Sequence, residues 1–220
     1  MLKLRKTLLS RPFNPWSYPL VSLILLLFLI LSCWYWQGDA SFLTAGREEI
    51  FHDHAYWKLF TTIAVHGDVR HYLANSIFFF IFGFLLHSYF GIFWFPILSI
   101  LLGAGVNYFT LALYPAGSVL LGASGVVYLM AGAWATLFVF VERKAHPLKR
   151  LMAAIGVSLM LFFPTQYEPE ISYLAHALGF FFGALSAGVY FFFARRHIQA
   201  MEVWEDTAPP EISDIFYELS

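Results

Sequence analysis

Four polar residues lie in otherwise apolar stretches of this sequence, and their types suit acyl transfer. They are Ser124 within Gly122-Ala123-Ser124-Gly125, His176, and the pair His71 and Asn75. A serine hydroxyl becomes a nucleophile when a neighbouring base such as histidine takes its proton. At the start of a helix the Ser124 backbone N–H is free and the helix dipole favours a developing oxyanion. His71 and Asn75 are four residues apart, hence on one helical face, and can add two side-chain donors for that oxyanion.

The third, acidic member of a catalytic triad is missing from these stretches. No Asp or Glu occurs between residues 69 and 141 or between residues 171 and 194. We therefore predict a Ser-His dyad rather than a triad. The same gap argues against an intramembrane aspartyl protease, and the absence of an H-E-x-x-H sequence argues against a zinc metalloprotease. We expect neither a metal nor a cofactor.

The composition is that of a chain surrounded mostly by lipid. Apolar residues make up 60% of it and charged residues 12%, against about 45–50% and about 25% in soluble domains. The net charge of −1 gives no reason to expect a nucleic-acid partner. The single cysteine, Cys33, excludes a disulfide within the chain. We expect a multi-pass integral membrane protein.

Uncharged stretches indicate how many helices cross the membrane. They are the 27 residues between Arg11 and Asp39, the 71 residues His71–Val141, and the segments Leu151–Tyr167 and Ile171–Ala194. Because a helix needs about 20 residues to cross the hydrocarbon, the 71-residue stretch suits three spans. Breaks are expected at His87–Gly91 and Tyr114–Gly117, where Gly or Pro can interrupt a helix. The fold class predicted is an all-α membrane protein with a bundle of six transmembrane helices.

Lysine and arginine predict the orientation. Ten of them lie before span 1, between spans 4 and 5, or after span 6, against three on the other side. The positive-inside rule then places both termini in the cytoplasm. The expected organisation is a cytoplasmic segment 1–16, a membrane domain 17–194 with a first external loop at about 38–65, and an acidic cytoplasmic tail 195–220. Spans 2, 4 and 6 enter from the external side, and at about 1.5 Å per residue Asn75, Ser124 and His176 lie at one depth.

Three motifs, in order, resemble those of the rhomboid intramembrane serine proteases. They are His66–Asn75, which contains the His-x₃-Asn element, Gly122–Tyr128 around the serine, and Ala175–Gly183, an A-H-x-x-G-x-x-x-G sequence. The resemblance covers roughly residues 17–194. It implies cleavage of peptide bonds in or near the transmembrane segments of single-span membrane proteins, with membrane lipid as the surroundings. We expect the membrane to be the bacterial inner membrane.

The resemblance also implies a role for each matching residue. Ser124 would be the nucleophile and His176 the general base, with His71, Asn75 and the Ser124 amide around the oxyanion. Among the supporting positions, Tyr128 would pack on the His176 ring, and the small residues of the two motifs would allow tight turns and close helix packing: Gly122, Gly125, Gly179 and Gly183.

Two points leave alternatives open. The family's Trp-Arg pair in the first loop appears as Trp57-Lys58, and lysine lacks the forked contacts of arginine. His66, which precedes the span, is expected to be structural. A rhomboid-like protein without catalysis, which binds membrane clients, is the alternative function. A small channel or transporter is less favoured, because intramembrane carboxylates and internal repeats are missing.

Overall fold

The computed structural model describes residues 2–162 and 172–206. Within them the helices are α1 (Ser17–Trp36), α2 (Arg47–Phe51), α3 (Lys58–Thr61), α4 (Val69–Ile92), α5 (Ser99–Leu113), α6 (Ser124–Val141), α7 (Pro147–Phe162) and α8 (Tyr173–Gln199). Four short strands accompany them: β1 (Leu2–Lys6), β2 (Ala45–Gly46), β3 (Val119–Leu120) and β4 (Val203–Asp206). β1 pairs antiparallel with β4, and β2 pairs antiparallel with β3.

Four of the described helical segments are long and apolar enough to cross a membrane. They are Ser17–Trp36, Val69–Leu113, Ser124–Val141 and Tyr173–Gln199. The second comprises 45 residues, about 68 Å of straight helix, which is more than twice the ~30 Å of a hydrocarbon core. It is interrupted at Gly91, near the end of α4, where φ is +78°, and at Phe95, which is extended and lies between α4 and α5. The prediction of an all-α membrane protein is confirmed.

Helix α6 lies at the centre of the core, and α8 packs against it through glycines. A Cβ atom added to Gly179 would overlap the carbonyl oxygen of Gly125, and one added to Gly183 would overlap that of Leu129. From the other side, a Cβ on Gly132 would overlap the carbonyl oxygen of Phe180. Small residues let two helix backbones approach in this way, which is a common mode of packing in lipid. The first turns of α6 and α8 are therefore held at a fixed separation.

The first and last described segments, β1 and β4, meet at the end of the bundle where α6 and α8 finish. Strand β1 lies beside β4, with an ion pair between Arg5 and Glu205. Nearby, Arg143 donates to both carboxylate oxygens of Glu202, at 2.9 and 3.2 Å. Helix α8 continues to Gln199, past the predicted boundary at residue 194.

The long first loop is folded rather than open. Strand β2 pairs with β3, which joins the loop to the segment that leads into α6. Inside it, the Lys58 ammonium lies 2.5 Å from a Glu49 carboxylate oxygen, and the other Glu49 oxygen accepts from the Gly46 amide at 2.9 Å. The Asn107 side chain of α5 donates to the Leu59 carbonyl at 2.9 Å. Lys58 is thus anchored by one carboxylate instead of the forked contacts that an arginine would make.

Candidate active site

Ser124 begins α6 directly after a turn that requires glycine. Gly122 has φ +105°, a conformation that side chains disfavour, and its amide donates to the Thr62 carbonyl at 2.9 Å. Because Ser124 is the first helical residue, its N–H has no acceptor within the helix. The Ser124 side chain is half-buried. The turn therefore presents a hydroxyl and a backbone donor together.

His66 ties this turn to α1. Its Nε2 accepts a hydrogen bond from the Ala123 amide at 3.3 Å, so that nitrogen carries no proton. On the other side, Nδ1 lies 3.3 Å from the Ser32 hydroxyl, which also accepts from the His66 amide at 3.1 Å. The Trp36 indole donates to the His66 carbonyl at 2.8 Å. A neutral ring protonated on Nδ1 satisfies all of these contacts.

Burial keeps the His66 ring neutral. The residue is fully buried, and burial, reinforced by the neighbouring His71, lowers the pKa of His66 to about 3. The His66 and His71 rings meet edge to face, with centroids 5.2 Å apart. A cation at this position would lose the Ala123 hydrogen bond. His66 therefore has a structural place in the turn, as expected from its position before the span.

His71 and Asn75 lie on the first two turns of α4, and the His71 ring faces the serine turn. A Cβ on Gly122 would come within 2.7 Å of the His71 Cε1 atom and 2.9 Å of its Nε2 atom. Asp68 caps the helix by accepting from the His71 amide at 2.8 Å. The buried Asn75 side chain donates one proton to the His71 carbonyl at 3.0 Å. An amide has two protons to donate, so this bond uses half of its donor capacity.

His176 lies in the first turn of α8, beneath the ring of Tyr128 from α6. The two rings stack with centroids 4.0 Å apart and planes inclined by 10°. The Tyr128 hydroxyl donates to the Leu161 carbonyl of α7 at 2.5 Å. Ser172 caps α8 by accepting from the Ala175 amide at 3.2 Å, and its hydroxyl lies 2.6 Å from that of Tyr114. The buried imidazole is thus positioned from α6, α7 and α8 together.

Contacts between α6 and α8 bring the two candidate catalytic turns together. A Cβ on Gly125 would lie 3.9 Å from the Cβ of Ala175, so the neighbours of Ser124 and His176 are in contact range. With His71 beside Gly122, three helix starts converge on one region. The catalytic roles of these residues stay a prediction at this point.

Sequence reasoning missed the residues that hold this region in place. Ser32, Thr62, Ser172 and the Leu161 carbonyl each make a contact described above, and nothing in their local sequence marks them. Among these residues, Ser32 alone could have been recognised from the sequence as a hydrogen-bonding residue, because a polar residue in an apolar helix is costly unless it is bonded. Its partner, 34 residues away, could not be read from the sequence.

Comparisons with known proteins agree with the fold and the motifs. A family model described as Rhomboid domain matches residues 53–193. The chain is also similar to RHOMBOID-like protein 1 of Arabidopsis thaliana, with 28% identity over 145 residues. That alignment covers 64% of this chain and 36% of the plant protein. The matched part is thus about a third of the length of this relative.

Proposed function

This chain belongs to the rhomboid family, and we propose that it is an intramembrane serine protease. Its reaction would be hydrolysis of peptide bonds in or near the transmembrane segment of single-span membrane proteins. Ser124 and His176 would form the catalytic dyad.

The stacking of Tyr128 on His176 is the observation that carries the proposal. In a dyad no carboxylate orients the imidazole, so another contact must restrict the ring. The stacked phenol does so from the same helix that begins with Ser124. A packing role alone gives no reason for a buried histidine and a half-buried serine to begin two helices whose backbones are in contact.

The reaction follows from these positions. The Ser124 Oγ attacks the substrate carbonyl carbon while His176 takes the hydroxyl proton. Charge on the carbonyl oxygen is stabilised by the Ser124 amide, by His71 and by the second amide proton of Asn75. His176 then gives its proton to the leaving amine, and a water molecule hydrolyses the acyl-enzyme by the reverse route. The substrate helix must unwind locally, since a hydrogen-bonded helical carbonyl cannot reach attack geometry.

We propose the topology along with the activity. Six spans arise if α4 and α5 each cross the membrane and the segment that begins with α7 crosses once. The pairing of β1 with β4 supports placing both ends of the chain on one side, and the excess of basic residues there favours the cytoplasm. The bacterial inner membrane is the location that we propose.

Cleavage of a single-span reporter in proteoliposomes tests the proposal. Wild type should cut, whereas Ser124→Ala and His176→Ala should not. Ser158→Ala is a matched control, because that hydroxyl bonds within α7 to the Ala154 carbonyl at 2.8 Å; it should cut as wild type does. A serine-directed reagent should label Ser124 only when His176 is intact.

Two results would contradict the mechanism. One is cleavage by Ser124→Ala and His176→Ala at the wild-type rate. The other is a folded wild type that retains the reporter without cutting it, which would favour the alternative of a non-catalytic client-binding protein.

A further inference from the structure

An apolar groove runs along the outer surface of α6 and α8, away from the candidate active site. Its volume is about 450 Å³, and it is open to the surroundings over most of its surface. Thr136 and Phe140 of α6 form one wall, and Val189 and Phe192 of α8 form the other. Gly188 forms part of the floor, and a Cβ added there would meet no atom within 4 Å. The groove is therefore open space bounded by apolar side chains.

The length of the groove matches one leaflet of a bilayer. Its α8 wall extends over residues 184–193, about 14 Å at the rise of a helix. A hydrocarbon core is about 30 Å thick. The groove thus covers about half of that thickness, on the half that is nearer to β1 and β4.

Two arginines continue the same face of α8 beyond the groove. Arg195 and Arg196 follow Phe192 by three and four residues, which places all three on one side of the helix. The Arg195 guanidinium lies over the Phe192 ring, 5.1 Å from its centroid. Both arginines are exposed. Within residues 2–162 and 172–206 no carboxylate pairs with either of them, whereas Arg143 nearby is paired with Glu202.

We propose that this groove binds one phospholipid with an anionic headgroup. An acyl chain lies between α6 and α8 over Gly188, and the phosphate is bound by Arg195 and Arg196. Basic sites at the membrane surface between transmembrane helices suit anionic headgroups for electrostatic reasons. The groove and the cations are in the order that a phospholipid requires, with the apolar part inside the membrane and the charged part at its surface.

The same charges disfavour the main competing occupant, a second copy of this chain. A two-fold dimer brings the same patch of both subunits together. The arginine pairs would then face each other, and such like-charge contacts are costly. The lipid requires no such contact.

Native mass spectrometry of the full chain in detergent, with phosphatidylglycerol or phosphatidylcholine added, tests the proposal. Wild type should retain one phosphatidylglycerol in preference to phosphatidylcholine. Gly188→Leu should abolish retention by filling the groove. Arg195→Gln/Arg196→Gln should weaken it about 30-fold, or about fivefold for each arginine.

Matched variants separate this site from general attraction to charge or to exposed helices. Gly156 on α7 also has open space at its Cβ position, so Gly156→Leu should leave retention unchanged. Arg11→Gln/Lys149→Gln removes two exposed positive charges without touching the groove and should change the affinity by less than the Arg195/Arg196 pair does. Equal losses in each control and its test variant would overturn the proposal. The proposal would also be overturned if the wild type retains no lipid. A wild type that is a dimer, together with a Gly188→Leu variant that is a monomer, would overturn it in favour of a second copy of the chain.

Discussion

The phenol ring of Tyr128 lies flat on the imidazole of His176, and its hydroxyl is fixed by the Leu161 carbonyl. The ring is therefore held at two points, on α8 and on α7. A stacked neighbour restricts the imidazole plane without adding charge. The two contacts of Tyr128 can be separated by substitution.

Tyr128→Phe keeps the stacking and loses the hydroxyl, whereas Tyr128→Leu loses both. If stacking positions the base, Tyr128→Leu should lower kcat by about two- to tenfold, the equivalent of an aromatic contact of 0.5–1.5 kcal/mol. Tyr128→Phe should retain most of the activity. Steady-state cleavage of the reporter gives both kcat and KM, and KM should change little.

An equal loss of kcat in the two variants would assign the effect to the Leu161 hydrogen bond instead. A loss that appears only in KM would contradict a role in orienting His176. Both variants should first be shown to unfold at the same temperature as wild type, so that a change in kcat is not a change in folded fraction.

Gly183 and Gly188 on α8 differ in what lies opposite them. A Cβ on Gly183 would overlap the Leu129 carbonyl oxygen, which is backbone and cannot rotate away, whereas a Cβ on Gly188 meets nothing. We expect Gly183→Ala to lower the free energy of unfolding by about 1–3 kcal/mol. Gly188→Ala should leave it unchanged or raise it by up to about 1 kcal/mol through helix propensity. Unfolding in mixed detergent micelles measures both, and similar values for the two would contradict the close packing of α6 on α8.

The helix ends were predicted best where a charge, a glycine or a proline ends an apolar run of the sequence. α5 ends at Leu113, directly before the expected break at 114–117. The break expected at 87–91 begins at Gly91 and extends to residue 98, because an extended Phe95 precedes Pro96. α8 runs past residue 194 to Gln199, because arginine is a good helix former; the charges that predict the end of a span therefore do not predict the end of the helix.

The candidate site was predictable where helical rise decides the depth of a residue. Counting residues along α4, α6 and α8 predicts one depth for Asn75, Ser124 and His176. In the structure Gly122 lies beside His71, and Gly125 lies beside Ala175. Contacts through irregular backbone were not predictable. The bonds from His66 to Ser32 and Ala123 join distant segments without any periodicity that a sequence displays.

Removing either partner of the Glu49–Lys58 ion pair should destabilise the first loop, but by unequal amounts. The Lys58 side chain is 10% exposed and that of Glu49 is 40% exposed. Glu49→Ala leaves a buried ammonium unpaired and should cost up to about 3 kcal/mol of unfolding free energy. Lys58→Met leaves a hydrated carboxylate that still accepts from the Gly46 amide, and should cost less than about 1 kcal/mol. The double variant should recover part of the Glu49→Ala loss, and a Lys58→Met loss equal to that of Glu49→Ala would contradict this account.

The same pair has a defined pH dependence. Burial raises the pKa of Glu49, but hydrogen bonds from Lys58 and the Gly46 amide outweigh it, so that the pKa lies below its usual value of 4.5. Its stabilisation is therefore complete above pH 4.5 and is lost as the pH falls through the lower folded value. Above pH 5 the titration of Glu49 should not change the stability of the loop. A pH dependence of stability in that range should therefore come from the histidines.

His66 should make the fold less stable as the pH falls from 7 to 5. Its pKa is about 3 in the folded chain and 6.5 when exposed, so the unfolded chain binds the additional proton throughout this range. Stability then rises with pH, and the difference between pH 5 and pH 7 is about 2 kcal/mol.

His66→Gln can still accept the Ala123 hydrogen bond but does not titrate, so its unfolding free energy should depend less on pH by about that amount. His54→Asn is the control, because His54 is exposed and asparagine tolerates its positive φ of 57°; it should keep the wild-type slope. If the unfolding free energies of wild type and His66→Gln change equally between pH 5 and pH 7, His66 is not held neutral by burial. That result would contradict its assignment as the neutral residue that joins Ser32 to the turn before Ser124.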